Sequence, residues 1–172
     1  MKDDELLKQI KAGDENAAEE LIKRYYASIL RYCRRHCFNM EKAEDLTQET
    51  FFRLFKSLPQ YSGKCFKAYL YTIANHLCID ESRKARCYPL ELENNKNWAK
   101  ECNELVQIED REEMNYLLKN LSPEQKEAIL LRFVEQLGYL EIAKVMGCTM
   151  RTAQSRVRNG LKIMRKEQGY ER

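Results

Sequence analysis

The sequence predicts an all-α protein of two small helical modules joined by a linker, with a helix-turn-helix in the second. Three observations carry this. Apolar residues recur at spacings of three and four over most of the 172 residues, as one buried helix face requires. Only 6 Gly and 3 Pro are present, too few for the many tight turns of a sandwich or barrel. Periodicity then lapses over 87–111, where Pro89, the polar run 93–97 and an acidic excess mark a linker. With 44% hydrophobic and 33% charged residues, the chain has enough apolar side chains for a packed core, and wholesale disorder is excluded.

The elements follow in order. Leu6, Leu7 and Ile10 place a helix over 3–12, and Ala18, Leu21, Ile22, Tyr25, Ile29 and Tyr32 place another over 14–37. Between them Ala12-Gly13-Asp14 reads as a break, with Asp14 as N-cap. A third helix covers 41–58 and stops before Pro59, because the residue preceding a proline is pushed out of the helical region. Residues 60–64, with Ser62-Gly63, form a loop, and a fourth helix runs over 66–86. Trp98 lies in the linker, either packed against one module or docked on a partner.

The last third opens with Ser122-Pro123-Glu124-Gln125: an N-cap, a proline at the first helical position and a reciprocal Gln at the third. That helix carries Ala128, Ile129, Leu131 and Phe133. A short helix over 139–146 has apolar Leu140, Ile142, Ala143 and Met146. Ala143 allows a close helix crossing, and Gly147 supplies the positive φ of the turn. Thr149 caps a final helix to about Lys166, with Ala153, Val157, Leu161 and Met164 as its inward stripe.

Charge is unevenly spread. Residues 1–90 hold 16 basic and 13 acidic side chains, 91–121 hold 4 and 8, and 122–172 hold 10 and 6. Segments of +3, −4 and +4 underlie the overall +3. Basic, acidic and basic blocks suit two modules facing a polyanion, though helices that merely solvate their outer faces give a similar pattern. Residues 149–166 carry six basic side chains and no acidic one. Arg and Gln there can contact base edges in the major groove while Ser and Thr serve phosphate or base, as a recognition helix requires. A helical hairpin with a solvated basic face is the alternative.

Two further faces stand out. In the helix 41–58, Leu46, Thr50, Leu54 and Leu58 lie on one side, with Asp45, Gln48, Glu49, Phe52 and Lys56 opposite. An aromatic among carboxylates suits a protein interface with Phe52 as its anchor; a single exposed Phe is the plainer reading. In the helix 66–86, Phe66, Leu70, Ile73 and Leu77 form the core face. Tyr71, Asn75, Ser82 and Arg83 are expected to project from the far side, with Lys67 and His76 on the flanks. Interleaved rings, amides and cations suit single-stranded nucleic acid, with Tyr61 and Lys64 of the loop adding to that surface.

The stretches AEDLTQETFFRLF (43–55), FKAYLYTIANHLCIDESRK (66–84) and LSPEQKEAILLRF…LEIAKVMGCTMRTAQSRVRNGLK (121–162) resemble bacterial sigma factors of the sigma-70 family. The two-domain size resembles the extracytoplasmic-function (ECF) group. The resemblance implies region 2 over 1–86, a linker over 87–111 and region 4 over 112–172. It implies that Asp45, Gln48, Glu49 and Phe52 dock on the β′ clamp helices of core RNA polymerase, and that region 4 meets the β flap. Tyr61 and Lys64 then belong to the loop that receives a flipped base of the −10 element, and Tyr71, Asn75 and Arg83 to the −10 surface. Arg151, Thr152, Ser155, Arg156, Arg158, Asn159 and Lys162 match the −35 recognition helix. An anti-sigma factor is an implied partner. The family often has Gly-Thr-Val where this chain has Arg151-Thr152-Ala153, which adds a charge beside the DNA, and Trp where it has Tyr69.

Other function classes find less support. The charged N-terminus MKDDELLKQI is unlike a signal peptide, no apolar run reaches membrane length, and an odd seven cysteines do not suit a disulfide framework. A cytoplasmic protein with reduced thiols is expected. Cys33, His36 and Cys37 would need a distant fourth ligand for zinc, so no metal or cofactor is expected. With only His36 and His76 and no phosphate loop or nucleophile motif, no enzyme is expected. The main rival is a stand-alone helix-turn-helix regulator acting as a dimer on an operator.

Overall fold

The computed structural model describes residues 2–37, 39–87 and 116–167. Every regular element among the described residues is helical. The chain divides into two compact units, Met1–Trp98 and Ala99–Arg172; of the expected linker 87–111, Cys87 still belongs to the last helix of the first unit, and the rest, with Trp98, lies outside the described residues. In the first unit α1 (Asp3–Lys11), α2 (Glu15–His36) and α3 (Met40–Ser57) lead through a 3₁₀ turn (Leu58–Gln60) to α4 (Phe66–Cys87). In the second, α5 (Pro123–Ile129) runs into a π-helical turn (Leu130–Val134), followed by α6 (Tyr139–Val145) and α7 (Met150–Glu167).

Local chemistry sets the helix starts. Gly13 takes φ +92° to end α1, and the Asp14 carboxylate accepts from the Asn16 and Ala17 N–H groups at 2.9 and 3.3 Å. Asn39 caps α3 by accepting from Lys42 N–H at 2.7 Å. Leu6, Leu21, Ile29, Leu54 and Leu70 are wholly buried and make the first core. Thr47 and Thr50 are buried too, their hydroxyls donating to the Ala43 and Leu46 carbonyls one turn back, so neither leaves an unpaired donor in the core.

The structure corrects the expected faces of α4. Tyr71 does not project: it is fully buried, edge-on to Tyr32 with ring centroids 5.4 Å apart. Ile73, expected in the core, is half-buried. The cause is that α4 packs on both α2 and α3, so its buried arc is wider than one stripe and includes Ala68, Leu70, Tyr71, Ala74, Leu77 and Cys78.

In the second unit the Ser122 hydroxyl accepts from Gln125 N–H at 3.3 Å while the Gln125 side chain accepts from Ser122 N–H at 3.0 Å. Ala128, Ile129 and Leu131 are buried as expected, but Phe133 is 55% exposed. The π turn accounts for this: Glu135 N–H bonds the Leu130 carbonyl five residues back, and the wider turn shifts the helical phase. Leu140 is exposed as well, while Ile142, Ala143 and Val145 turn inward. Gly147 has φ +61° with open space where a Cβ would stand. Conformation rather than room therefore favours glycine there. Of the expected stripe on α7, Ala153 and Val157 are buried, whereas Leu161 and Met164 are half-buried.

Gly160 is a packing glycine that periodicity did not reveal. A Cβ there would stand 2.6 Å from Cδ1 of Ile129, so its absence lets α7 cross close to α5. Gly160→Ala sets a helix-propensity gain of about 1 kcal/mol against overpacking of about 1–3 kcal/mol, and a net loss of stability is expected. Adding Ile129→Val removes the clashing methyl and should recover part of that loss. Additive effects in a thermal-denaturation double-mutant cycle would contradict the contact.

Candidate functional site

Three surfaces carry the residues singled out above. On α3 the chain turns two adjacent phenylalanines opposite ways. Phe51 is buried and stacks on Tyr26 with centroids 6.3 Å apart, while Phe52 is 63% exposed. Asp45 and Gln48 are exposed on the same side. Glu49 stands half-buried beside them and accepts from Arg53 Nε at 2.7 Å. The face thus presents one large apolar ring with the Asp45 carboxylate and an ion-paired Glu49. Burying such a ring against a partner is worth far more than the half-exposed ion pair on its own helix.

The loop 61–65 and α4 form the second surface. The ring of Tyr61 is stacked on Tyr69 at 4.6 Å and meets Phe66 edge-on. Its carbonyl accepts from Lys11 Nζ. Gly63 passes so near that a Cβ would lie 2.8 Å from the Tyr61 ring. The Tyr61 hydroxyl is buried without a hydrogen-bond partner, and burial pushes its pKa up. Lys64, His76 and Arg83 are exposed. Asn75 is half-buried, its side-chain oxygen accepting from the Tyr32 hydroxyl at 3.2 Å. Tyr71 therefore contributes behind the surface, holding Tyr32, which in turn orients Asn75.

Beside these residues α3, the 3₁₀ turn and α4 enclose an open cleft of about 420 Å³, lined by Arg53, Lys56, Ser57, Gln60, Tyr69, Ile73 and His76. The Tyr69 hydroxyl and Ser57 share a 2.6 Å hydrogen bond across it. In the sequence Lys56, Tyr69 and His76 stand apart from one another and from Arg53 and Gln60. The joining contact is tertiary, and no spacing within one helix signals it.

The third surface is α7. Thr149 accepts from Thr152 N–H at 3.1 Å and starts the helix. Arg151, Gln154, Arg158, Asn159 and Lys162 are exposed, and Thr152, Ser155 and Arg156 are half-buried. Residues 151, 155, 158 and 162 fall on one stripe at helical spacing, with 152, 156 and 159 next to it. Asn159 Nδ2 donates to the Ser155 hydroxyl at 3.3 Å. The Glu124 carboxyl is held below the usual range by its own backbone N–H and by Ser122, with a smaller contribution from the Arg156 charge. Ala153 and Val157 anchor the opposite face, so α7 offers its cations and amides outward from a fixed base.

Residues 21–87 match the family described as Sigma-70 region 2, and residues 111–164 the one described as Sigma-70, region 4. The chain is 32% identical to the ECF RNA polymerase sigma factor SigD of Mycobacterium tuberculosis, across 92% of this chain and 82% of that protein. The chain belongs to the ECF sigma factors of the sigma-70 family.

It is also 25% identical to the sigma factor SigW of Bacillus subtilis, over 94% of each chain. The fold of this ECF sigma factor is shared with CnrH, solved with the cytosolic domain of CnrY, at a TM-score of 0.68 and 18% identity over 97% of each chain. RpoE of Bartonella quintana, solved with the anti-sigma factor NepR, gives a TM-score of 0.64 and 21% identity over 90% of this chain and 98% of that one. The protein is a promoter-recognising sigma factor for RNA polymerase, an initiation factor, and the reading as a stand-alone operator-binding regulator is not favoured. Among the described residues no helix is long and apolar enough to cross a membrane.

Proposed function

We propose that this ECF sigma factor docks on the β′ clamp helices through Asp45, Gln48, Glu49 and Phe52, and meets the β flap through its second unit. The loop of Tyr61 and Lys64, with Asn75 and Arg83 of α4, takes the −10 element. On α7, Arg151, Thr152, Ser155, Arg156, Arg158, Asn159 and Lys162 take the −35 element. Domain roles follow the same division: 1–86 for polymerase and −10, 87–111 as tether, 112–172 for −35. Such a protein works in the cytoplasm without a chemical step of its own, and an anti-sigma factor is a natural partner.

The observation that carries the reading is the α7 surface, whose six cations from 149 to 166 have no acidic residue among them, Glu167 standing only at the helix end, while Ala153 and Val157 lock the other face. Cations on this stripe meet phosphates, and amide or guanidinium groups reach base edges. A basic module alone would bind any duplex, with strong salt dependence. Selectivity and opening then need both units together with polymerase, since extruding a base costs a few kcal/mol.

The test is holoenzyme binding to promoter duplex, read by footprinting at several salt concentrations. Arg158→Ala should cost about 1–3 kcal/mol and relax selectivity at one −35 position. Lys162→Ala should weaken binding evenly across sequences and lower the salt slope by about one. If neither variant changes −35 protection, α7 is not the reading helix.

A further inference from the structure

Helix α1 reaches across 50 residues of chain to the loop that follows the 3₁₀ turn. Lys11, its last residue, donates from Nζ to the Tyr61 carbonyl. Lys11 is exposed, and with Ile10, Phe55, Leu58 and Pro59 it lines a hollow of about 260 Å³ between α1 and that turn. A long apolar stem beside apolar walls thus delivers a charged donor to the loop. The seat of α1 does not depend on this contact. Leu6 and Leu7 are buried, and the Asp3 carboxylate pairs with Arg24 at 2.7 Å and accepts from the Tyr25 hydroxyl.

The bond falls where the loop takes its direction. Tyr61 N–H donates to the Leu58 carbonyl at 3.1 Å and closes the 3₁₀ turn. With Lys11 on its carbonyl, both backbone polar groups of Tyr61 are held. That carbonyl belongs to the planar peptide leading into Ser62, so fixing it fixes how the chain leaves the turn. The ring is held as well, stacked on Tyr69 and edge-on to Phe66. Ser62, Gly63 and Lys64 beyond it are exposed. An exposed loop left to itself must be ordered when it binds, and fixing it beforehand removes part of that cost.

We propose that Lys11 is a positioning residue for −10 recognition, setting through the Tyr61 carbonyl the conformation in which loop 61–65 takes a −10 base. This role rests on the reading of that loop as part of the −10 surface. It differs from a phosphate contact by the same ammonium. A phosphate contact acts evenly on every sequence and through salt, whereas a positioning contact acts on base preference.

The test uses holoenzyme assembled from the full chain and a promoter that wild-type holoenzyme selects from a random pool. Each base is placed in turn at every −10 position, and run-off transcription reads the preference. Lys11→Met keeps the stem and removes the donor. It should lower the preference at one −10 position about 3- to 10-fold, as loss of one hydrogen bond does, with melting temperature, core binding and −35 protection unchanged. Lys11→Arg keeps a donor and should restore the preference. Tyr61→Ala is the reference for the loop and should lower the preference at the same position. Preference kept in Lys11→Met but lost in Tyr61→Ala overturns the proposal and leaves the loop on the −10 surface. Preference kept in both removes the loop from that surface, and the positioning role falls with it. An even loss across all sequences in Lys11→Met, with a salt slope lower by about one, makes Lys11 a phosphate contact and also overturns the proposal.

Discussion

Replacing Phe52 by Ala weakens binding to core RNA polymerase about thirtyfold or more, because truncating a central aromatic anchor costs about 2 kcal/mol or more. Fold stability should not move, since the ring is 63% exposed in the free chain. That separation makes the prediction sharp: fluorescence titration with core enzyme reads affinity, and circular dichroism reads folding. Reversing Asp45 and Glu49 to Lys should add to the loss and lower the association rate, an effect that fades with salt. Glu49 already pairs with Arg53, so its reversal also sets two cations one turn apart. Asp45→Lys is the cleaner probe. Equal affinities for wild type and Phe52→Ala would mean that α3 is not the docking helix.

Tyr71→Ala should destabilise the first unit by about 3–5 kcal/mol, as loss of a fully buried aromatic does. Its ring is sealed against Tyr32, and the hydroxyl of Tyr32 holds Asn75. The loss should appear as faster amide exchange across both α2 and α4. Tyr71→Phe keeps the ring and should leave −10 binding by the holoenzyme nearly unchanged. A base-stacking role predicts the reverse for alanine: −10 binding lost, exchange rates kept. Measuring both on the full chain separates a buried support from a DNA contact.

Features fixed by neighbours in the chain were legible. Asp14, Ser122 and Gly147 announce their caps and turn through chemistry within three residues, and each sits as expected. The α3 face was legible for a related reason, because one side of that helix packs and the other does not. Residues whose fate depends on distant elements were read less well. A single buried stripe on α4 would turn Tyr71 outward, but this helix packs on two others and buries it. Phe133 continues the apolar spacing of an ordinary helix, and the π turn rotates it to the surface. Gly160 is required by Ile129 some thirty residues earlier. The cleft of Arg53, Gln60 and His76 unites three elements, and nothing local foretells it.

This chain should direct core polymerase to promoters through its own −35 and −10 surfaces. Run-off transcription with purified core enzyme on a pool of random promoters tests it most directly. Discrete start sites preceded by two spaced common elements are expected, lost with Phe52→Ala and with shifted −35 preference in Arg158→Ala. Tight binding of the chain alone to a palindromic duplex as a dimer, with no association with core enzyme and no directed starts, would contradict it.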